Sequence, residues 1–257
     1  MARWLIDADP AVFQGERGLQ PAEDAAVRQE EGWVLGVSGQ QTAVRSAPAA
    51  PPPTDPAEIY RQSWSMVRAV TDLSHLPAEL HPVARRLVHS QADPEVIATL
   101  AASPGAVTAA RAALAAGAAV LCDAQMVAHG IIASRLPSGT QLLCTLDHPD
   151  LATRAAAAGT TRSALAVEAW VPHLAGAVVV IGNAPTALMR LLAVIDQGAP
   201  RPAVVLGFCV GFVGATEAKE ALMRRNDLAW IALGGRRGGS ALAAAAVNAL
   251  APGGEPA

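Results

Sequence analysis

Two neighbouring arginines in a glycine-rich segment are the clearest candidates for ligand chemistry in this chain. Arg236 and Arg237 stand within Gly234-Gly-Arg-Arg-Gly-Gly-Ser240, where four glycines leave the backbone N–H groups unshielded by side chains. Guanidinium groups pair with carboxylates and phosphates, and free backbone N–H groups bind the same anions. Two solvated arginines would be the simpler interpretation, but their setting among four glycines favours an anion site.

Polar residues or glycine-containing segments also follow the other short apolar runs of the chain. They are Asp123, Thr145 with Asp147, Gly182-Asn-Ala-Pro185 and Gly207-Phe-Cys-Val-Gly211. If the runs are parallel strands, their carboxyl ends meet at one edge of a sheet, where α/β proteins bind ligands. None of the segments has the phosphate-binding pattern of a P-loop or of a dinucleotide fold. We therefore expect a site for an anionic small molecule with several carboxylates or phosphates.

Three of the candidate side chains have a structural interpretation beside the functional one. Asp123 either caps the next helix or positions a ligand. Asn183 either caps a helix that starts near Pro185 or donates to the ligand. Arg162 either binds a ligand carboxylate or pairs with Glu168. The residue types alone leave these alternatives open.

Histidine is the residue type best suited to donate a proton near neutral pH, and the residue types alone do not choose among the six histidines of this chain. His89 follows Arg86 by three residues in a predicted helix, so the two side chains share one helix face. Histidine is the side chain whose charge most readily changes near neutral pH. An isolated histidine is nevertheless more often structural than catalytic. His129, in a segment that follows a predicted strand, is as readily a structural hydrogen-bonding residue as part of a pocket.

Apolar periodicity predicts the elements that must position these residues. Helical spacing marks residues 55–71, 78–90, 106–116, 161–174, 186–195, 215–224 and 240–250. Short continuous apolar runs mark strands at residues 118–122, 141–146, 177–181, 203–206 and 229–233. Continuous apolar strands that alternate with helices are typical of a parallel sheet covered on both faces. The sequence therefore predicts an α/β fold of three layers, α/β/α, with a mostly parallel central sheet of about five strands.

Composition limits the class of protein. Hydrophobic residues make up 52% of the 257 residues and charged residues 16%, so a large core is available. A net charge of −3 gives no argument for a nucleic-acid partner. No apolar run reaches the roughly 20 residues that span a membrane. The cysteines lack metal-type spacing, which favours buried thiols in a cytoplasmic protein, with no metal.

The first 52 residues differ from the remainder of the chain. They contain seven acidic residues and end in the run Pro-Ala-Ala-Pro-Pro-Pro53, which is typical of a semi-rigid linker. We place the domain boundary near Pro53, with an N-terminal extension at residues 1–52 and one domain at residues 53–257. The sequence assigns no role to the extension.

Beyond these patterns, eight stretches between residues 54 and 251 resemble, in order, the precorrin-8X methylmutase family, also called precorrin isomerases. Among them are Ala84-Arg-Arg-Leu-Val-His89 and Gly182-Asn-Ala-Pro-Thr-Ala-Leu188. The others are residues 59–63, 109–117, 121–130, 160–164, 210–215 and 234–246. The sequence departs from the family pattern at Cys209, where a proline is usual, and at Ser90-Gln-Ala-Asp93. These departures concern the shape of the pocket more than the type of reaction.

The resemblance implies an activity and a set of site residues. It implies that a methyl group moves from ring carbon 11 to ring carbon 12 of the tetrapyrrole precorrin-8X, an isomerisation in cobalamin biosynthesis that gives hydrogenobyrinic acid. It implies no cofactor, a homodimer, and one histidine as general acid, which falls on His89. Substrate contacts fall on Ser63 and Arg86, and we add the candidates named above: Arg162, Asn183, Arg236, Arg237 and His129.

Two alternatives to this reaction stay open in the sequence. The substrate of close relatives from the anaerobic route is cobalt-precorrin-8, which carries the metal as part of the substrate. A corrin-binding carrier without turnover would need the same carboxylate contacts. The pair of Arg86 and His89 favours catalysis, because a carrier has no need of a proton donor.

Overall fold

A computed structural model describes residues 53–254, so the predicted extension at residues 1–52 lies outside the described residues. Within this range the helices are α1 (Pro56–Val70), α2 (His81–Gln91), α3 (Ala106–Ala115), α4 (Gln125–Gly130), α5 (Leu151–Ala157), α6 (Arg162–Glu168), α7 (Pro185–Asp196), α8 (Ala215–Met223) and α9 (Ser240–Leu250). The strands are β1 (Leu100–Ala102), β2 (Val120–Cys122), β3 (Leu142–Leu143), β4 (Val178–Ile181), β5 (Val204–Gly207) and β6 (Trp230–Leu233).

The strands form one sheet in the order β1-β6-β5-β4-β2-β3. The strands β2 to β6 pair in parallel, with Val178 opposite Val120 on one side and opposite Val204 on the other. These are the five predicted strands, and the mostly parallel sheet is confirmed. The prediction missed β1, which pairs with β6 antiparallel through Leu100 and Leu233. Three residues are too few to give an apolar pattern that the sequence can reveal.

Alternate side chains of the strands enter two separate cores, one on each face of the sheet. Val178 and Val180 pack in the core that α1, α2, α3 and α9 cover. Val179 and Ile181 pack in the opposite core, beneath α6, α7 and α8. All four side chains are fully buried. The three-layer α/β/α arrangement predicted from the sequence is therefore confirmed.

Local signals explain most of the helix boundaries. The carboxylate of Asp55 accepts hydrogen bonds from the N–H groups at the start of α1, and Pro56 occupies the first helical position. The single helix predicted at residues 161–174 is instead divided, because α6 ends at Glu168 and Pro172 lies in a separate 3-10 turn. Among the described helices, none is both long and apolar enough to cross a membrane.

The strand order reverses between β2 and β4. From β2 the chain moves to β3 on one side, whereas β4, β5 and β6 follow one another on the other side. The connections after β2 and β4 therefore diverge at the carboxyl edge of the sheet, which is where open α/β sheets bind ligands. The segments that follow β2, β4, β5 and β6 are the candidate segments identified in the sequence.

Candidate active site

Asp123 joins the two strands at this reversal. Its carboxylate accepts hydrogen bonds from the backbone N–H groups of Gly182 at 2.8 Å, Asn183 at 2.9 Å and Ala184 at 2.7 Å. The side chain is buried, and this burial raises its pKa while the three N–H donors counteract the rise. Asp123 therefore serves as a structural acceptor for the loop that follows β4.

This contact corrects two expectations about capping. Asp123 does not cap α4, the next helix, but binds the N–H groups that lead into α7. Asn183 does not cap α7, because Ala184 occupies the N-cap position and no side chain there accepts a hydrogen bond. A helix N-terminus attracts anions. At α7 the protein supplies that anion itself.

Two of the glycines at this edge are required by close packing of the protein. A Cβ atom on Gly238 would lie 2.2 Å from the carbonyl oxygen of Phe208. A Cβ atom on Gly182 would lie 2.7 Å from side-chain atoms of Val127 and Ala243. We expected the glycines to admit a ligand, but at these two positions the neighbouring chain fills the space.

The arginine loop, which we define as residues 234–240, borders an open cavity of about 390 Å³. Both Arg236 and Arg237 line the cavity, together with Val210 and Phe212 from the loop after β5. The guanidinium of Arg236 lies 5.4 Å from the ring centroid of Phe212. Arg237 is held by two acids, with distances of 3.5 Å to both Asp93 and Glu95. Arg236 is therefore the more available of the two cations.

A buried lysine anchors the arginine loop from below. The amine of Lys219 in α8 donates to the backbone carbonyl of Arg237 at 2.6 Å, and the lysine has no exposed surface. Burial lowers the pKa of Lys219, and the nearby Cys209 thiol opposes this change. Burial also raises the pKa of Cys209 to about 11, which favours the neutral thiol. Lys219 thus fixes the loop that carries the two arginines.

His89 lies in the last turn of α2, where it meets aromatic side chains of α1. Its ring stacks on Trp64, with ring centroids 4.7 Å apart and planes inclined by 13°. Tyr60 meets the same imidazole edge-on at 6.1 Å. Trp64 is buried, Tyr60 and His89 are partly exposed, and all three surround one surface on the helix pair. A proton donor placed here has an aromatic support and access to a ligand.

Arg86 lies below the imidazole and completes what we call the histidine cluster, namely Tyr60, Trp64, Arg86 and His89. Its guanidinium lies 4.7 Å from the ring centroid of Trp64 and donates to the carbonyl oxygen of Gly254 at 2.5 Å. The residue is 8% exposed, and no carboxylate pairs with it within residues 53–254. The cluster therefore contains a buried positive charge without a counter-ion from the described chain.

The environment of His89 favours its neutral form. Partial burial lowers the pKa of His89 below its ordinary value of 6.5, and the positive charge of Arg86 lowers it further. Both effects disfavour the imidazolium. The general acid implied by the family resemblance must be protonated to act, so it needs negative charge from elsewhere. Carboxylates of a bound ligand are the natural source.

The other predicted site residues lie at scattered positions. Arg162 donates to the carbonyl oxygen of Leu146 at 3.0 Å, and the alternative pairing with Glu168 does not occur, because Glu168 binds Arg190 at 2.6 Å. Other predicted residues are the exposed Asn183 and His129 and the half-buried Ser63, which adjoins Trp64 in α1. Contact of these residues with a ligand stays a prediction.

The residue patterns indicated no functional role for several residues that shape these two regions. Tyr60 is the only tyrosine of the chain and Lys219 the only lysine, so composition could have singled out both. Trp64 looked like an ordinary apolar residue of an amphipathic helix. Arg135 follows α4 and donates to the carbonyl oxygens of Asn248 and Gly254. Its proximity to Arg86 depends on long-range packing that no local pattern reveals.

Comparisons with known proteins find the same domain elsewhere. Residues 58–252 match the family described as precorrin-8X methylmutase. A Precorrin-8X methylmutase of Pseudomonas aeruginosa is 54% identical over 198 residues, which cover 77% of this chain and 95% of that protein. A Cobalt-precorrin-8 methylmutase of Methanothermobacter thermautotrophicus is 38% identical over 196 residues, which cover 75% of this chain and 91% of that protein.

Solved structures agree with these sequence matches. The crystal structure of precorrin-8x methyl mutase from Thermus thermophilus superposes with a TM-score of 0.69 and 43% sequence identity. The match covers 76% of this chain and 94% of that one. These matches, with the mostly parallel three-layer sheet, define an isomerase domain of the α/β class. The chain belongs to the precorrin-8X methylmutase family.

Proposed function

We propose that the protein moves the methyl group on ring carbon 11 of precorrin-8X to ring carbon 12, which gives hydrogenobyrinic acid. The observation that carries this proposal is the position of His89 on a partly exposed aromatic surface, next to a buried cation, in a chain of this family. The substrate carries several carboxylate side chains, so it supplies the negative charge that the histidine cluster lacks.

The proposed reaction needs a proton but no net change in composition. The imidazolium of His89 donates a proton to the conjugated ring, which draws electron density from the bond that breaks. The bond between carbon 11 and the methyl group breaks as the bond to carbon 12 forms, and the electron pair moves with the migrating methyl. The proton then returns to His89, so reactant and product are isomers. Absence of a cofactor stays a prediction.

In this mechanism, the carboxylates of the substrate favour the protonated form of His89. Without ligand, burial and Arg86 lower the pKa of His89. Carboxylates of a bound tetrapyrrole neutralise Arg86 and raise the pKa of the imidazole, so binding itself protonates the catalyst. We assign further carboxylate contacts to Arg236, Arg237 and Arg162, with Ser63, Asn183 and His129 as polar contacts of the substrate.

We favour the metal-free substrate over cobalt-precorrin-8. Relatives named Precorrin-8X methylmutase share 54% and 49% identity with this chain, in Pseudomonas aeruginosa and Sinorhizobium sp. The relative from Methanothermobacter thermautotrophicus, named Cobalt-precorrin-8 methylmutase, shares 38%. Greater similarity to the first group supports a pocket built for the substrate without metal.

We also propose an assembly and a location for the protein. A homodimer is supported by exposed apolar side chains within the described range, among them Met66, Val70, Phe212 and Val213. Light scattering at micromolar concentration should give twice the mass of one chain, and a monomer would contradict the proposal. A cytoplasmic location fits a biosynthetic enzyme whose three cysteines are free thiols.

One assay tests the function and both alternatives. Purified protein is mixed with precorrin-8X and, separately, with cobalt-precorrin-8, and the absorption spectrum is followed with time. The proposal expects a spectral change to that of hydrogenobyrinic acid with the metal-free substrate and slower or absent change with the cobalt form. Binding of either compound without conversion would identify a carrier and contradict the proposed activity.

A further inference from the structure

The carbonyl oxygen of Gly254 lies where two arginines from distant parts of the chain converge. Arg86 in α2 donates to it at 2.5 Å, and Arg135 donates to it at 3.2 Å. No ion pair of either arginine occurs within the described range of the chain. Two positive charges thus share one neutral oxygen atom, although guanidinium groups prefer carboxylates.

Two buried N–H groups beside this oxygen have no acceptor. The Nε atom of Arg86 and the indole Nε1 of Trp64 are two of four buried side-chain polar atoms without a hydrogen-bond partner in residues 53–254. A buried donor left without an acceptor is costly, and native proteins rarely tolerate two in contact. The guanidinium lies 4.7 Å from the Trp64 ring, so both orphan donors belong to one location.

The pKa of the Tyr60 hydroxyl reflects the same surplus of hydrogen-bond donors. Burial acts to raise its pKa, but the N–H groups of Trp64, Arg86 and Arg135 near the hydroxyl outweigh this effect and lower the pKa. All these groups therefore favour negative charge at one place. That place adjoins His89, since the imidazole stacks on Trp64 and meets Tyr60 edge-on.

We propose that Arg135 and Arg86, with the indole N–H of Trp64, form a carboxylate-binding subsite beside His89. In the structure the Gly254 carbonyl occupies it, and a carboxylate side chain of the bound tetrapyrrole displaces that carbonyl. Arg135 is the newly assigned binding residue. This inference rests on the proposed function, because the tetrapyrrole supplies the carboxylate.

The subsite would link substrate binding to the protonation of His89. A carboxylate between the two arginines cancels the positive charge that opposes the imidazolium. The carboxylate also offers an acceptor to the Nε–H of Arg86 and the indole N–H of Trp64. It has two charged oxygen atoms, so it accepts more and stronger hydrogen bonds than one neutral carbonyl oxygen. The segment that contains Gly254 must then move away, so binding should loosen the end of the domain while it orders the remainder of the site.

The test compares Arg135→Gln and Arg135→Lys with a control, Arg224→Gln. Arg224 lies after α8 and forms only an exposed pair with Glu220 at 3.7 Å. The probe is hydrogenobyrinic acid, whose binding is measured by absorbance titration. Arg135→Gln should weaken its affinity by roughly 10- to 150-fold, the range for one lost charged hydrogen bond. Arg135→Lys should recover part of the loss, and the control should bind within twofold of the unmodified protein.

A second measurement follows the displaced segment in the unmodified protein. Hydrogen–deuterium exchange of the peptide that contains Gly254 should rise when hydrogenobyrinic acid saturates the protein, while exchange in α1 and α2 falls. This readout needs no variant, so it decides the matter even if the Arg135 variants do not fold. A purely structural Arg135 would leave exchange of the Gly254 peptide unchanged or lower.

The outcomes separate this inference from the proposed function. If the unmodified protein neither binds nor converts its substrate, the proposed function fails first. If it binds and converts, but Arg135→Gln retains full affinity or the Gly254 peptide becomes more protected, the subsite is wrong. Weakened binding in Arg135→Gln together with faster exchange of the Gly254 peptide on ligand binding would support it.

Discussion

The carboxyl edge of the sheet and the histidine cluster differ in how fully the protein satisfies its own polar groups. At the edge, Asp123 accepts three N–H groups, two acids hold Arg237, and the Arg237 carbonyl accepts from Lys219. In the histidine cluster, the Nε–H of Arg86 and the indole N–H of Trp64 are buried and have no acceptor among the described residues. The polar groups at the edge are thus largely paired within the protein, and on the unpaired donors of the histidine cluster we base the proposal that this region binds a ligand.

This difference assigns separate tasks to the two regions. We propose that the edge offers the substrate one available cation, Arg236, because acids already engage Arg237. We propose that the histidine cluster supplies the acid and the cations that meet the carboxylates of the substrate. Substitutions at the edge should therefore change affinity or stability, and substitution of His89 in the histidine cluster should change the rate of the chemical step.

The largest effect on rate without an effect on affinity is expected for His89→Asn. Loss of the general acid should reduce kcat by on the order of 10²- to 10⁴-fold, the usual contribution of such a group. Folding and product affinity should stay near those of the unmodified protein, since the asparagine is smaller and uncharged. Single-turnover conversion followed by absorbance measures the rate, and titration with product measures affinity. The exposed His173→Asn is the control, and near-normal turnover in His89→Asn would remove the histidine from the mechanism.

At the edge, Asp123→Ala should act on stability. The substitution leaves three backbone N–H groups without their acceptor, and one buried unsatisfied group costs about 1–3 kcal/mol. We expect the free energy of unfolding in urea to fall by roughly 3 kcal/mol or more. The exposed Asp196→Ala, which removes a surface pair with Arg225, should cost less than about 1 kcal/mol. Unchanged stability with lost substrate affinity would show that Asp123 binds the ligand instead.

The two arginines of the loop should differ from each other. Arg236→Ala should weaken product binding by roughly 10- to 150-fold with little change in kcat, because its charge meets ground state and transition state alike. Arg237→Ala should have a smaller effect, since Asp93 and Glu95 already engage that guanidinium. Product titration of both variants provides the comparison. Equal losses would mean that the two acids release Arg237 when the ligand binds.

The smallest effect is expected outside both regions. Deletion of residues 2–52 should leave turnover within a few-fold, because the acidic extension and its proline-rich end suggest a tail attached to a complete domain. Steady-state kinetics of the shortened protein measures this, with circular dichroism to establish folding. A loss of activity or of folding would show that the extension contributes to the domain.

The sequence predicted the layers of this fold well because long apolar patterns determine them. The helix predicted at residues 240–250 has those bounds in the structure, and all five predicted strands occur. Short elements were missed where local patterns carry too little information: β1 has three residues, and α4 has six. The 3-10 turn at Pro172 divides a pattern that looked continuous, since Val167, Trp170 and Leu174 on its two sides still face the same core.

The candidate site was harder to predict than the fold. Sequence patterns favoured the arginine loop, yet Gly238 is there because the backbone of Phe208 lies too close for any Cβ atom. His89 came from family resemblance and not from its own residue type. The approach of Arg135 to Arg86 joins segments almost fifty residues apart in the chain, and no local signal encodes such a contact.

The pH dependence of kcat and kcat/KM tests the central claim most directly, namely that His89 is the acid and that the substrate protonates it. In the free protein, burial and Arg86 lower the pKa of His89 below 6.5. The value of kcat/KM should therefore fall as pH rises through a pKa below 6.5, whereas kcat should fall only at higher pH, because ligand carboxylates raise the pKa of the imidazole in the complex. The His89→Asn variant should lose both transitions. Profiles that stay flat between about pH 5 and 8, or a kcat that rises with pH, would contradict the account.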